Sequence, residues 1–169
     1  RVLDQSCIFA MGPYRIPNGR VNGQAVRTNN VPTSAFRGFG INQVSFAMES
    51  LLDEAARQLG MDPFDLRLQN ALRPGDQTFT GQILSPSTGL VDTILACRDK
   101  TMELLDKRRA EFAGASDISL GMGMASTFKN VGAGKGKCDD GGAILTRSAD
   151  GSFQLLVSGV DMGQGFRTG

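Results

Sequence analysis

The chain has 169 residues, 40% hydrophobic and 21% charged, and its 18 basic and 17 acidic side chains leave a net charge of +1. This allows one domain or two small ones with a real core, and the balanced charge argues against a nucleic-acid partner held by phosphate neutralisation. No apolar run approaches the ~20 residues of a membrane span, and the start lacks the charged-then-apolar order of a signal peptide, so a cytoplasmic protein is expected.

Histidine is absent. A Ser-His-Asp or Cys-His site therefore cannot be built from this chain, and the commonest metal ligand is missing. Cys7, Cys97 and Cys138 are far apart and form no CxxC pair, so they read as reduced thiols rather than metal ligands, and no direct metal ligand is expected. Cys138 lies beside Lys135 and Lys137 but also beside Asp139 and Asp140, whose effects on a thiolate oppose each other. The chain opens on Arg1 and closes inside the glycine-rich phrase "VDMGQGFRTG", and both ends read as cuts in a longer polypeptide.

In chain order, residues 1–28 read as extended. Pro13, Pro17, Gly19 and Gly23 punctuate short apolar stretches, and strands are expected near residues 6–11 and 23–28. "INQVSFAMESLLDEAARQLG" repeats Ile41, Val44, Met48, Leu51, Leu52, Ala55 and Leu59 at helical spacing, with Gly60 as the stop. Glu49, Asp53 and Glu54 on this helix read as exposed or structural. Asp62 as N-cap and Pro63 at the first position start a second helix to about Leu72. "RPGDQTFTGQILSPSTG" is loop-like, with room for a short strand. A third helix spans roughly Leu90 to Phe112, with Val91, Ile94, Leu95, Met102, Leu105 and Phe112 on one face and a solvated charged face opposite. From Ile118 the pattern turns to strands. "ISLGMGMASTF" alternates with glycines, and "GGAILTRSADGSFQLLVSGV" reads as a hairpin turning at Asp150-Gly151. The order of elements predicts an α+β fold with helices packed on a mixed β-sheet.

Several short motifs carry little. "NVGAGKGKCDDGG", Asn130 to Gly142, fails the P-loop spacing and precedes a strand, so it reads as a loop whose lysines could meet an anion. "GMGMAS" lacks the third glycine and the helix of a dinucleotide fingerprint, and reads as a twisted strand or close backbone packing. Gln164 in "GQG" could offer a donor and an acceptor to a polar ligand.

The informative stretch is "TNNVPTSAFRGFGINQ", Thr28 to Gln43. It sets Phe36, Arg37 and Phe39 among Gly38 and Gly40, directly before the long helix. Spacing alone would allow two core phenylalanines and a salt-bridged arginine. However, "GPYRIPNGRVNGQAVRTNNVPTSAFRGFG", "AMESLLDEAARQLGMDPFDLRLQNAL", "PGDQTFTGQIL" and "DGSFQLLVSGVDMGQG" together resemble the molybdenum hydroxylase family of xanthine dehydrogenases and aldehyde oxidoreductases. The correspondence covers nearly the whole chain, in order.

The resemblance implies a fragment of a molybdopterin-binding subunit. Residues 1–115 would belong to a first molybdopterin-binding subdomain, and 116–169 to the truncated start of a second. The implied chemistry is hydroxylation of a flat N-heterocycle or aldehyde with water-derived oxygen and hydride transfer to the Mo centre. Iron–sulfur clusters, with FAD as an option, would sit on partner domains or subunits. Phe36, Arg37, Gly38, Gly163, Gln164 and Gly165 match cofactor-binding positions, and Phe39 matches the ring that orients a flat substrate.

Three departures accompany the match. Gln5 stands where xanthine-oxidising members carry an arginine, which weakens a purine assignment. Gly132 falls near a second substrate-stacking ring. The family's catalytic glutamate would lie beyond Gly169, so no catalytic base is expected within these residues, and the isolated fragment should be inactive. The alternative is a non-catalytic binding or assembly domain that retains the fold.

Overall fold

The computed structural model describes residues 2–31, 35–132, 138–166 and 168. The chain divides into two compact units, Arg1–Lys129 and Asn130–Gly169. The first holds four helices: α1 (Val2–Phe9), α2 (Ile41–Leu59), α3 (Pro63–Asn70) and α4 (Leu90–Glu111). They pack in sequence, α1 on α2, α2 on α3 and α3 on α4.

The inward face of α2 is Ile41, Val44, Ser45, Met48, Glu49, Leu52, Ala55 and Ala56, while Phe46, Leu51 and Leu59 face solvent. Gly60 closes the helix in the left-handed region (φ 64°). Its N–H reaches Arg57 O at 3.3 Å, and the Met61 N–H reaches Ala56 O at 2.9 Å, the paired bonds of a Schellman end. Two residues on, Asp62 accepts the Phe64 and Asp65 N–H groups at 2.8 and 3.2 Å, and Pro63 follows it as N1. This helix stops at Asn70, two residues earlier than expected, because Ala71 turns extended and bridges Tyr14. The Arg15 N–H to Asn70 O bond (2.7 Å) and the Leu72 N–H to Pro13 O bond (3.1 Å) fix that crossing. Phe64, Ala71 and Ile94 form the buried centre, with Leu68, Leu90, Val91 and Met124 packed against it.

Three strand expectations in this unit are overturned. Residues 2–9 form a helix, not a strand near 6–11. Its short apolar run fits either period, and Gly12 (φ 60°) ends it with an N–H to Phe9 O bond of 3.0 Å. Residues 23–28 are exposed and belong to no strand. The stretch 118–128 also forms no strand, and a Cβ on Gly121 or Gly123 would meet nothing, so close backbone packing is not found there either. A strand needs a neighbour to take its hydrogen bonds, and the described residues supply none. Within this stretch Phe128 stacks edge-on against Phe9, with ring centroids 5.2 Å apart. Residues 73–84 hold a single antiparallel bridge, Gln77 to Ile83, rather than a strand.

The second unit contains an antiparallel hairpin of β1 (Ala143–Arg147) and β2 (Phe153–Val157), in register from Ala143↔Val157 to Arg147↔Phe153. The chain turns through Ala149, Asp150 and Gly151 (φ 87°). The Ser148 N–H bonds Ser152 O at 2.9 Å, and the Gly151 N–H bonds Ser148 O at 3.0 Å. Asp150 accepts the Ser152 N–H and hydroxyl at 2.9 and 2.8 Å, bonds that hold its carboxyl below the usual range. The chain is α+β, as expected. Among the described residues, however, its sheet is this two-stranded antiparallel pair rather than a mixed sheet, and the helices pack on one another. A parallel neighbour would need a crossover of a dozen or more residues between strands, and β1 and β2 are joined by a tight turn. The lysine pair expected to meet an anion, Lys135 and Lys137, lies outside the described residues.

Candidate functional site

The Phe36–Gly40 segment is a tight turn at the head of α2. The Phe39 N–H bonds Phe36 O at 2.8 Å, and the Ile41 N–H bonds Gly38 O at 3.1 Å. Three consecutive residues are left-handed: Gly38 (φ 103°), Phe39 (φ 53°) and Gly40 (φ 102°). For the glycines this costs little; for a bulky L-residue it is strained. Phe36 is 78% exposed and Phe39 38% exposed, and Arg37 is also at the surface. The turn therefore presents both rings and the cation outward, which answers why glycines and phenylalanines share this loop.

The turn is fastened on both sides. On one side Asn42 Nδ2 donates to Arg37 O at 2.9 Å. On the other, the Ser6 hydroxyl on α1 lies 3.1 Å from Gly40 O and 3.0 Å from Val2 O. A Cβ at Gly40 would strike Ser6 Oγ and would come within 2.5 Å of the Val2 carbonyl oxygen. Only glycine lets α1 approach the turn this closely.

Gly163 (φ 99°), Gln164 and Gly165 (φ 79°) form a second exposed turn, in the other unit. Gln164 Oε1 accepts the Met162 N–H at 2.7 Å, and Nε2 donates to Val160 O at 2.6 Å. The amide expected to serve a ligand is engaged with its own loop. The Gly163 N–H is taken by Asp161 at 2.7 Å.

Farther along α2, a buried charge cluster holds the helix in place. Arg67 on α3 is fully buried, and Glu49 is 5% exposed. Arg67 Nε donates to Glu49 Oε2 at 2.7 Å, and its other nitrogens reach Asp53 Oδ1 at 2.8 Å, Glu49 O at 3.1 Å and Pro63 O at 3.1 Å. Tyr14 donates to the remaining Glu49 oxygen at 2.6 Å. Burial pushes the Tyr14 phenol up strongly, and the Glu49 bond and charge push the same way, against smaller opposing effects from Ser126 and Arg67. Burial works against the Arg67 charge, but the Glu49 and Asp53 bonds outweigh it and raise the guanidinium above its ordinary value. Glu49 and Asp53 are thus structural, as expected. Glu54 is an exposed partner of Arg57 (2.6 Å), whose bond lowers its carboxyl.

The structure brings Phe36, Arg37, Gly38 and Phe39 together on one turn and Gly163, Gln164 and Gly165 on another. Gln5, on α1, has a buried side-chain oxygen without a partner among the described residues. Gly132 is left-handed (φ 75°), and a Cβ there would strike the Asp139 carboxylate. Two grooves of about 420 and 440 Å³ are lined by other residues, including Cys97 and Ser126 in the first and Arg15 and Asp76 in the second. Asn42, Ser6, Tyr14 and Arg67 were not singled out from sequence. The available signal was Glu49, a carboxylate on the inward stripe of α2, which requires a buried partner.

Two models of the molybdopterin cofactor-binding domain match the chain, over residues 1–71 and 97–169. The large molybdopterin subunit of nicotinate dehydrogenase from Eubacterium barkeri is 42% identical over 62% of this chain and 24% of its own length. A probable xanthine dehydrogenase subunit from Bacillus subtilis is 35% identical over 97% of this chain and 21% of its own. The crystal structure of the aldehyde oxidoreductase from Desulfovibrio desulfuricans superposes with a TM-score of 0.55 at 34% identity, covering 63% of this chain and 12% of that one. The chain therefore spans a quarter or less of these relatives. Two cofactor-domain matches and relatives of this kind place the chain in the molybdenum hydroxylase family.

Proposed function

We propose that this chain is part of the molybdopterin-binding subunit of a molybdenum hydroxylase acting on a flat N-heterocycle or aldehyde. The observation that carries the reading is the Phe36–Gly40 turn. It spends left-handed backbone on a phenylalanine in order to show rings and a cation to solvent. A role in packing the core of this unit would turn those rings inward.

The residues fit the cofactor in their chemistry. The Gly163 and Gly165 backbones carry no Cβ, so a large group can approach them closely, whereas the open side of Gly38 is taken by Asn42. The partnerless Gln5 oxygen is on α1, whose next residue, Ser6, touches Gly40. When bound, the molybdopterin group supplies the redox chemistry that places water-derived oxygen on a substrate C–H. Phe36, Arg37 and Gly38 would hold it, as would Gly163, Gln164 and Gly165. Gln164 must exchange one of its loop bonds to do so. Phe39 stacks on the substrate and fixes the reacting carbon. Gln5 offers no positive charge to a purine oxyanion, which favours other flat N-heterocycles or aldehydes. The base comes from outside these residues.

Residues 1–115 then belong to a first molybdopterin-binding subdomain and 116–169 to a second; two separate family matches support two subdomains, the second match opening at residue 97. The remaining parts of the molybdopterin subunit and an iron–sulfur subunit or domain complete the enzyme, with FAD as an option on a partner. The three cysteines are free, which supports a cytoplasmic setting, and no described helix is long and apolar enough to cross a membrane.

The test is the full-length enzyme carrying Phe39→Ala. Molybdenum and iron–sulfur content should stay while turnover falls ~100-fold, because a lost stacking ring misplaces the substrate. Normal turnover with a lowered melting temperature would make Phe39 a packing residue and overturn its role. Arg37→Ala should lose more cofactor than Phe39→Ala. The isolated chain should purify without molybdenum; stoichiometric metal would show that the rest of the subunit is dispensable for binding.

A further inference from the structure

Phe39 is the sole non-glycine residue with positive φ among the described residues. Such a conformation persists only where its surroundings over-determine it. Packing alone does not supply this, since Phe39 is 38% exposed. The ring's direction is set instead by the backbone beneath it.

Four bonds fix that backbone. Two are ordinary turn bonds, Phe39 N–H to Phe36 O and Ile41 N–H to Gly38 O. The third is Ser6 to the Gly40 carbonyl, on the C-terminal side. The fourth is Asn42 to the Arg37 carbonyl, on the N-terminal side. Asn42 is the second residue of α2, where a polar side chain ordinarily serves the helix. Here it does not: the helix start has no side-chain cap, and the amide donates backwards across the turn. Its Oδ1 lies 2.5 Å from where a Cβ of Gly38 would stand. Gly38 and Asn42 are therefore matched, one leaving the space that the other fills.

We propose that Asn42 is a positioning residue: by holding the Arg37 carbonyl over Gly38 it keeps Phe39 left-handed and so aims the ring at the substrate. This rests on the reading of Phe39 as the substrate-stacking ring. A role in helix stability alone makes a different forecast, and Asn42→Asp separates the two. Aspartate keeps the shape but replaces the donor with an acceptor, which cannot bond a carbonyl. In the first turn of a helix its charge is favourable. The substitution should release the turn without weakening the helix.

The experiment uses the full-length enzyme as wild type, Asn42→Asp, Phe39→Ala and the double variant. Molybdenum content, melting temperature, kcat/KM and amide exchange of residues 38–41 are measured on each. We expect Asn42→Asp to keep its metal and melting temperature, to exchange faster at 38–41, and to lose about tenfold in kcat/KM, within the range that misplacement causes. In the Phe39→Ala background the same change should cost nothing further, because the ring it aims is gone. Full turnover by Asn42→Asp beside an impaired Phe39→Ala would overturn the clamp alone. Additive losses would do the same, since Asn42 would then act other than through Phe39. Full turnover by Phe39→Ala would overturn the stacking reading, and the clamp with it.

Discussion

The first unit hides charge and the second shows apolar surface. Around Arg67 a guanidinium, a carboxylate and a phenol are sealed from water, each meeting a partner. In the hairpin, Ile144, Leu145, Phe153, Leu155, Leu156 and Val157 are all exposed. The register puts Ala143, Leu145, Phe153, Leu155 and Val157 on one face. The helical unit thus completes its own interior even around an ionic centre. The hairpin completes only its turn and its ladder, and carries a face that a larger sheet or a neighbouring segment would cover.

The strongest way to break this comparison is to remove charge from inside. Arg67→Met leaves Glu49 buried without its cation and should cost about 3–5 kcal/mol of unfolding free energy in urea titration. Pairing it with Glu49→Leu should recover much of that loss, because the uncompensated charge is gone. A smaller effect is expected from Tyr14→Phe, at about 1–3 kcal/mol, since Glu49 loses one donor. That variant has a pH signature as well. The folded-state phenol is raised, so its contribution is intact below the ordinary value of about 10 and fades as pH climbs toward the folded one. Wild type should lose stability in that alkaline window, and Tyr14→Phe should lose less.

Leu155→Lys probes the other side of the comparison. In this chain it should move stability by less than about 0.5 kcal/mol while lowering dye binding and self-association in sedimentation. In the full-length polypeptide the same change should be clearly destabilising if that face is covered. Smallest of all, Glu54→Gln removes a fully solvated pair with Arg57 and should leave the denaturation midpoint where it was.

What could be read from sequence follows the same divide between local and distant causes. α2, α3 and α4 were legible because periodicity, the Asp62 cap, Pro63 and Gly60 are local signals. The hairpin was legible from Asp150-Gly151 between apolar runs. α1 was not, because eight residues with Leu3, Cys7, Ile8 and Phe9 fit either period, and its docking on α2 decided the matter. The missing strands at 23–28 and 118–128 fail for the converse reason: their residues suit a sheet, but pairing partners are a property of the whole fold. Phe36, Arg37 and Phe39 were recognisable as a motif, but the left-handed backbone at Phe39 was not. Nor was the burial of Arg67, whose partners Glu49 and Asp53 stand on another helix.

The missing side chain at Gly40 has a consequence for the order of folding. The turn reaches its final shape only when Ser6 and Val2 close on it, across a separation of 34 residues for the Ser6 bond. Such a contact must first meet the entropy of closing a long loop, whereas α2 and its Gly60 end need only neighbours. The turn is then among the last parts to form. Gly40→Ala should speed unfolding and leave the folding rate nearly unchanged, a φ-value near zero; slowed folding would instead put this contact in the nucleus. A nascent chain would acquire its helices before this turn, and under the role proposed for the turn cofactor loading would report on a chain that has already finished folding.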